Sequence, residues 1–173
     1  SFRKIDAGGE KMHYIRQDIV TCLRDVFLNY QPWDDKRRIS YRFETEPEVI
    51  EMDFDRSKMT KVLHNLLSNA FKFTPTGGKI DIRVTHDEKN ATISVSDNGE
   101  KIPDEKIDKI FERFYQVAST ANDRNVGTGI GLDLTRSLVE LHHGTISAHN
   151  LEQGCEFIVS IPLGNAHLKP EEM

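Results

Sequence analysis

The order of elements predicts an α+β fold, a two-layer sandwich of helices on a sheet. Three observations carry that expectation. Ile80, Ile82 and Val84 alternate with polar residues, as do Ile93 and Val95, with a polar stretch from Asp87 to Asn90 between them. That is a β-hairpin pattern. Between Asp55 and Phe73 the apolar residues fall at helical spacing, and after a further helix the chain ends in two more alternating strands.

Taken in order, Ser1 to Glu10 is charged and ends in Gly8-Gly9, a break before the domain. Ile15, Ile19, Cys22/Leu23, Val26/Phe27 and Tyr30 predict a helix over His13 to Tyr30, with Pro32 just beyond it. Ile39, Tyr41 and Phe43 predict a strand, and Val49 to Met52 a second. Asp55 is a candidate N-cap for the long helix, which Thr74-Pro75-Thr76-Gly77-Gly78 closes. After the hairpin come a loop over Asp97 to Pro103, a short helix from Asp104 to about Tyr115, and a polar loop over Ser119 to Asn125. Gly127 to Gly131 opens another helix ending near Gly144, and Thr145 to His149 and Cys155 to Ile161 are the last strands.

The chain has 173 residues, 37% of them hydrophobic, and a net charge of −5 from 23 Lys and Arg against 28 Asp and Glu. It can build a core, and its acidity argues against general nucleic-acid or anionic-membrane binding. Two cysteines, Cys22 and Cys155, make neither a disulfide framework nor a metal site and fit a reducing compartment. No run approaches the roughly 18 apolar residues of a membrane span.

Three segments carry chemistry. On the long helix, Met59, Val62, Leu63, Leu66, Leu67, Ala70 and Phe73 share an apolar arc. Asn65, Asn69 and Lys72 lie within about 60° of one another on a separate stripe. Asparagine is a poor residue for a helix interior. An Asn oxygen suits Mg²⁺ and a Lys ammonium suits phosphate. Taken alone, the stripe reads equally well as a solvated face. Gly127-Thr128-Gly129-Ile130-Gly131-Leu132 at a helix start has the composition of a phosphate cradle. It also fits a tight turn packing a helix against a sheet, and it matches neither a dinucleotide fingerprint nor a P-loop. Asp97-Asn98-Gly99 follows a strand, where a carboxylate can accept from an exocyclic amine such as that of adenine, or simply close a turn.

Together and in this order, the segments resemble the catalytic ATP-binding domain of sensor histidine kinases, in the GHKL ATPase superfamily. HNLLSNAFKFTP is similar to the N box, DNGEKIP to the G1 box, FERFYQ (Phe111 to Gln116) to the F box and GTGIGL to the G2 box. The resemblance covers about residues 11–163. It implies a Bergerat-type fold, with a mixed sheet covered on one face by helices. It implies that Asn69 coordinates Mg²⁺, that Asn65 and Lys72 meet the metal–phosphate region, and that Asp97 accepts from the adenine amine. Gly99 belongs to the same adenine-binding turn. Gly127, Gly129 and Gly131, with the neighbouring Thr128 and Ile130, would hold phosphates. Ser119 to Val126 would be the ATP lid, Phe73, Ile102 and Leu132 walls of the adenine slot, and Arg113 and Arg124 candidates for the γ-phosphate.

One departure stands out. The family's G1 box carries a second glycine where this chain has Lys101. If that position requires positive φ, a lysine brings strain of about 1–2 kcal/mol. The alternative to a kinase module is therefore a nucleotide-poor, non-catalytic regulatory domain. In the gyrase and chaperone branches a glutamate one turn before the metal-binding asparagine activates water; here that position is Asn65, which points to phosphoryl transfer and not hydrolysis. None of the seven histidines sits in an acceptor-helix context. His64 reads as structural or lid-facing, and His142 and His143 as dipole partners at a helix end. Residues 1–10 are similar to the end of a dimerisation helix, residues 164–173 form a tail, and the expected partners are a histidine-bearing dimerisation domain and a response regulator or receiver domain. The expected setting is the cytoplasmic portion of a membrane-attached receptor, with no nucleic-acid or direct membrane contact.

Overall fold

The computed structural model describes residues 11–31, 35–112 and 129–164, residues 129 and 130 by backbone alone. The expected remnant at 1–10, nearly all of the tail, the lid and the F box beyond Glu112 lie outside these residues. Five strands form one mixed sheet in the order β2 (Ser40–Glu46), β4 (Lys79–His86), β5 (Asn90–Asp97), β7 (Cys155–Pro162) and β6 (Thr145–Asn150). The β2–β4 pair is parallel and the other three are antiparallel. A separate antiparallel ribbon joins β1 (Ile15–Asp18) to β3 (Glu51–Phe54). The helices are α1 (Ile19–Tyr30), α2 (Arg56–Phe73) and α3 (Gly129–Leu141).

The period-two pattern sets the register. Ile82 faces Val95, and Val95 faces Phe157 on the next strand, so their apolar side chains align on one face. Ile80, Ile82, Val84, Ile93, Val159 and Ile161 are buried there, against α2 residues Met59, Val62, Leu63, Leu66 and Leu67. Each such side chain contributes roughly 1.5–3 kcal/mol by leaving water. The opposite face keeps polar residues, among them an Arg42–Asp81 ion pair at 2.8 Å.

Five sequence expectations need correction. The first helix begins at Ile19 and not near His13, because Asp18 is its N-cap, accepting from the Val20 amide at 3.0 Å and the Thr21 hydroxyl at 2.6 Å. Ile15, which supplied the helical spacing, is 62% exposed and pairs with Phe54 in the ribbon. The second short strand runs over Glu51–Phe54, later than Val49 to Met52, and belongs to that ribbon. Residues 104–112 form successive turns with i→i+3 bonds, as from the Lys106 amide to the Pro103 carbonyl at 2.8 Å, in place of the expected helix. On α2, Phe71 is buried and Phe73 only half-buried.

His142 is the last correction. It is fully buried and neutral, not a charged dipole partner: its Nε2 accepts from the Asp55 amide at 3.1 Å while Nδ1–H donates to the Leu138 carbonyl at 2.8 Å. Asp55 caps α2, accepting from the Lys58 amide at 3.2 Å, the His13 amide at 2.9 Å and the Lys58 ammonium at 3.2 Å. Tyr14 stacks edge-on to the imidazole and donates to the Leu141 carbonyl at 2.9 Å. No helix among the described residues is long and apolar enough to cross a membrane.

Burial lowers the His142 pKa below its ordinary 6.5, with Lys58 and His143 adding to the shift and the Leu138 carbonyl and Asp55 opposing it. Below about pH 6.5 the unfolded chain therefore binds a proton that the folded chain excludes, and stability falls as the pH drops. Urea unfolding is expected to show a lower midpoint near pH 5.5 than near pH 7.5, by at most about 1.4 kcal/mol per pH unit. In His142→Gln that pH difference shrinks.

Candidate functional site

Asp97 ends β5, a strand flanked on both sides, so its carboxylate is buried at 6% exposure. Burial raises its pKa, partly offset by the Gly99 amide and by Cys155. One oxygen accepts from the Gly99 amide at 2.9 Å, and the other lies 3.7 Å from the Cys155 sulfur. Burial and the neighbouring carboxylate push that thiol up to about 12, so it stays an S–H donor. An ionised carboxylate offers about four lone-pair positions. Asp97 therefore keeps acceptor capacity for an exocyclic amine such as that of adenine.

Backbone contact brings this turn against the end of α2. A Cβ at Gly99 would run into the Phe73 carbonyl oxygen, and one at Gly154 into the backbone carbonyl oxygen of Asp97. Lys101 behaves differently. It is exposed, and the left-handed non-glycine residues among those described are only Arg38 and His143. The strain anticipated at position 101 is absent, so the lysine leaves the turn's backbone intact.

The helical stripe reaches the other side of the site. Asn65 donates to the Thr135 hydroxyl at 3.1 Å and reaches the Gly131 carbonyl at 3.5 Å, which joins α2 to the first turn of α3. Asn69 is half-buried one turn further on. Lys72 is half-buried as well, its ammonium 5.5 Å from the Phe73 ring centroid, and desolvation lowers its pKa. Four N–H groups without intrahelical partners and a positive partial charge accompany any such helix start. Of the glycine-rich run, Gly131 opens towards space, for a Cβ there meets nothing within 4 Å, and Leu132 is half-buried against the core. Gly129 and Ile130 belong to α3, while Gly127, Thr128, Arg113 and Arg124 lie outside the described residues.

The stripe, the Asp97–Gly99 turn and the start of α3 thus lie around the C-terminal half of α2. The match to the family described as histidine kinase-, DNA gyrase B- and HSP90-like ATPases spans residues 54–165, from the α2 cap to the end of the sheet. This chain belongs to that ATPase family.

Among relatives in the family, histidine kinase P4 of Formosa agariphila is 38% identical over 176 residues, covering 99% of this chain and 13% of its own length. Sensor histidine kinase TmoS of Ectopseudomonas mendocina is 38% identical over 162 residues, covering 92% of this chain and 16% of its own. The chain therefore spans only a small part of either relative. The nucleotide-free catalytic domain of histidine kinase ThkA superposes with a TM-score of 0.78 at 31% identity, over 88% of this chain and 99% of that one. ThkA in complex with the response regulator TrrA gives 0.76 at 28% identity, over 94% and 46%. The expected fold, the mixed sheet with its helical layer, is the fold of these ATPase-family domains.

Sequence reasoning missed three residues around the site. Arg37 caps the α2 C-terminus, Cys155 touches Asp97, and Asn150 bonds to Ile102. All three act from segments remote in sequence, and only the register and the loop closures bring them in.

Gly99→Ala forces its new carbon into the Phe73 carbonyl and is expected to cost about 1–3 kcal/mol in urea unfolding. Gly131→Ala has open space and is expected to stay within about 0.5 kcal/mol of the parent.

Proposed function

We propose that this chain is the catalytic module of a sensor histidine kinase. It binds Mg·ATP and passes the γ-phosphoryl group to a histidine on a separate dimerisation domain of its parent polypeptide. The observation that carries this reading is the convergence of a buried carboxylate, an Asn–Asn–Lys stripe and a helix N-terminus within one family domain. Asp97 would accept from the adenine amine, with Gly99, Phe73, Ile102 and Leu132 around the base. Asn69 would hold Mg²⁺ through its amide oxygen, a neutral hard donor suited to that ion. When bound, the ion neutralises charge on the phosphate oxygens. Lys72 and the amides of the glycine-rich turn (Gly127, Thr128, Gly129, Ile130 and Gly131) would face the phosphates, with Arg113 and Arg124 serving the γ-phosphate.

In the transfer, an imidazole nitrogen of the acceptor forms a bond to the γ-phosphorus as the bond to the ADP oxygen breaks. The imidazole lone pair makes the new P–N bond, the electron pair of the P–O bond leaves on the ADP oxygen, and no oxidant is needed. The module's part is orientation and charge stabilisation, because the nucleophile comes from outside. The likeness to ThkA, solved with its regulator TrrA, supports a response regulator or receiver domain as the downstream partner. The same reading places the module in the cytoplasmic portion of a membrane-attached receptor. Nothing in the G1 turn favours the nucleotide-poor alternative, since Lys101 is exposed with ordinary backbone.

Two measurements test this function. Asn69→Ala is expected to abolish the Mg²⁺-dependence of ATP binding, measured by titration, with its circular dichroism unchanged. Retained Mg²⁺-dependence removes Asn69 as the metal ligand. Mixing the chain with ATP and the parent's helical dimerisation domain in trans is expected to yield acid-labile phosphohistidine. A failure at saturating ATP overturns the kinase reading.

A further inference from the structure

Ile102 follows the Asp97–Gly99 turn, and it is held from the far edge of the sheet. The last residue of β6, Asn150, turns its amide onto the Ile102 backbone: Oδ1 accepts from the Ile102 amide at 2.9 Å and Nδ2 donates to the Ile102 carbonyl at 2.6 Å. Its second amide hydrogen reaches the Asp104 carboxylate at 3.2 Å. One side chain thereby satisfies both backbone groups of one residue, as a neighbouring strand would. A primary amide can do so because it carries a donor and an acceptor side by side.

Among the described residues, little else holds this loop by hydrogen bonds. Residues 103–112 bond to one another through the Pro103, Lys106 and Lys109 carbonyls. Among the described residues, Asn150 is the one side chain bonded to the backbone of 101–112. Beyond it lies a groove of about 810 Å³ between these turns and the β6 edge, lined by Asp104, Ile107, Phe111 and Ile146 among others. Packing from that side is therefore incomplete where the amide ties the loop down.

We infer that Asn150 is a positioning residue that fixes the base-facing wall of the nucleotide site through Ile102. This rests on the nucleotide reading above and adds to it a residue that does not touch the nucleotide. Its action is selective. Asn150 bears on the base end, through the loop after β5, whereas the phosphates would meet α2 and α3.

Binding of ADP and of inorganic Mg·tripolyphosphate to the 173-residue chain separates these ends. Asn150→Ala is expected to weaken ADP about tenfold, equivalent to about 1.4 kcal/mol, with tripolyphosphate affinity unchanged. Asn150→Asp supplies a second readout. Ionised, it accepts from the Ile102 amide but has no proton for the Ile102 carbonyl, and it lies against Asp104. Protonated, it has the amide's shape with one donor and one acceptor. Its ADP affinity relative to the parent chain at the same pH should therefore rise towards one as the pH falls from about 6 to about 3.5, across the ordinary aspartate value of about 3.9. If Asn150→Ala does not fold, the pH series decides: a rising ratio supports the inference and a flat one overturns it. Unchanged ADP affinity in Asn150→Ala, or an equal loss for tripolyphosphate, also overturns it. A parent chain that fails to bind ADP overturns the nucleotide reading and this inference with it, whereas normal parental binding confines any failure to Asn150.

Discussion

The carbonyl groups of Phe71 and Thr74, at the C-terminal end of α2, both accept 2.6 Å hydrogen bonds from the Arg37 guanidinium, and the Phe73 carbonyl between them is where Gly99 packs. A helix leaves its last carbonyls without intrahelical partners. Here those groups become the joint on which the site is assembled. Asp35 grips the same guanidinium through Nε at 3.0 Å and a terminal nitrogen at 2.8 Å, and that pairing holds its carboxyl below the usual range. The Arg37 carbonyl accepts from the Gly77 amide at 2.7 Å, and the Ser40 amide donates to Gly78 at 2.9 Å. The segment entering β2 is thus stitched to the turn entering β4, which sets up their parallel pairing. Asn69, Lys72 and Phe73 ride on the last turns of the helix that this network fixes.

At its other end α2 is fixed by neutral and paired groups. The Asp55 carboxylate has three donors and the His142 imidazole one bond on each nitrogen, so the buried charge of Asp55 sits against the Lys58 ammonium. An eighteen-residue helix anchored at both ends presents its side-chain stripe in a defined direction. That matters more for a polyanion site than the net charge of −5. One ammonium, amide dipoles and a helix N-terminus can bind phosphate by local orientation without a globally basic surface.

Strand alternation and the N-cap Asp55 were legible in the sequence because each depends on neighbours within a few residues. The Asn65–Asn69–Lys72 stripe was legible for the same reason, since helical geometry places it without reference to the rest of the fold. The misreadings arise where a distant partner decides. Ile15 fits a helical period, yet pairing with β3 draws residues 15–18 into a ribbon and Asp18 starts the helix. Phe71 and Phe73 are two positions apart, and the packing of Tyr30 and Tyr41 against Phe71 selects which one is buried. His142 reads as a dipole partner at a helix end until the Asp55 amide is placed beside it. Lys101 breaks a motif, but the backbone requirement behind that glycine is not visible from the letters. The fold shows an ordinary φ there and strict need for glycine at Gly99 and Gly154.

The surroundings of Asn65 show why an amide suits that position on α2. The Thr135 hydroxyl donates its single hydrogen to the Gly131 carbonyl, so it presents only lone pairs to Asn65. The Gly131 carbonyl is an acceptor too. Position 65 therefore faces two acceptors and requires a donor, which the amide nitrogen supplies. A carboxylate there would be met only if the Thr135 hydroxyl turned away from the Gly131 carbonyl, giving up a hydrogen bond worth about 0.5–1.5 kcal/mol. The first turn of α3 and the side chain on α2 are matched to each other. The amide of Asn65 is thus matched as a donor to the first turn of α3, and an amide offers no general base.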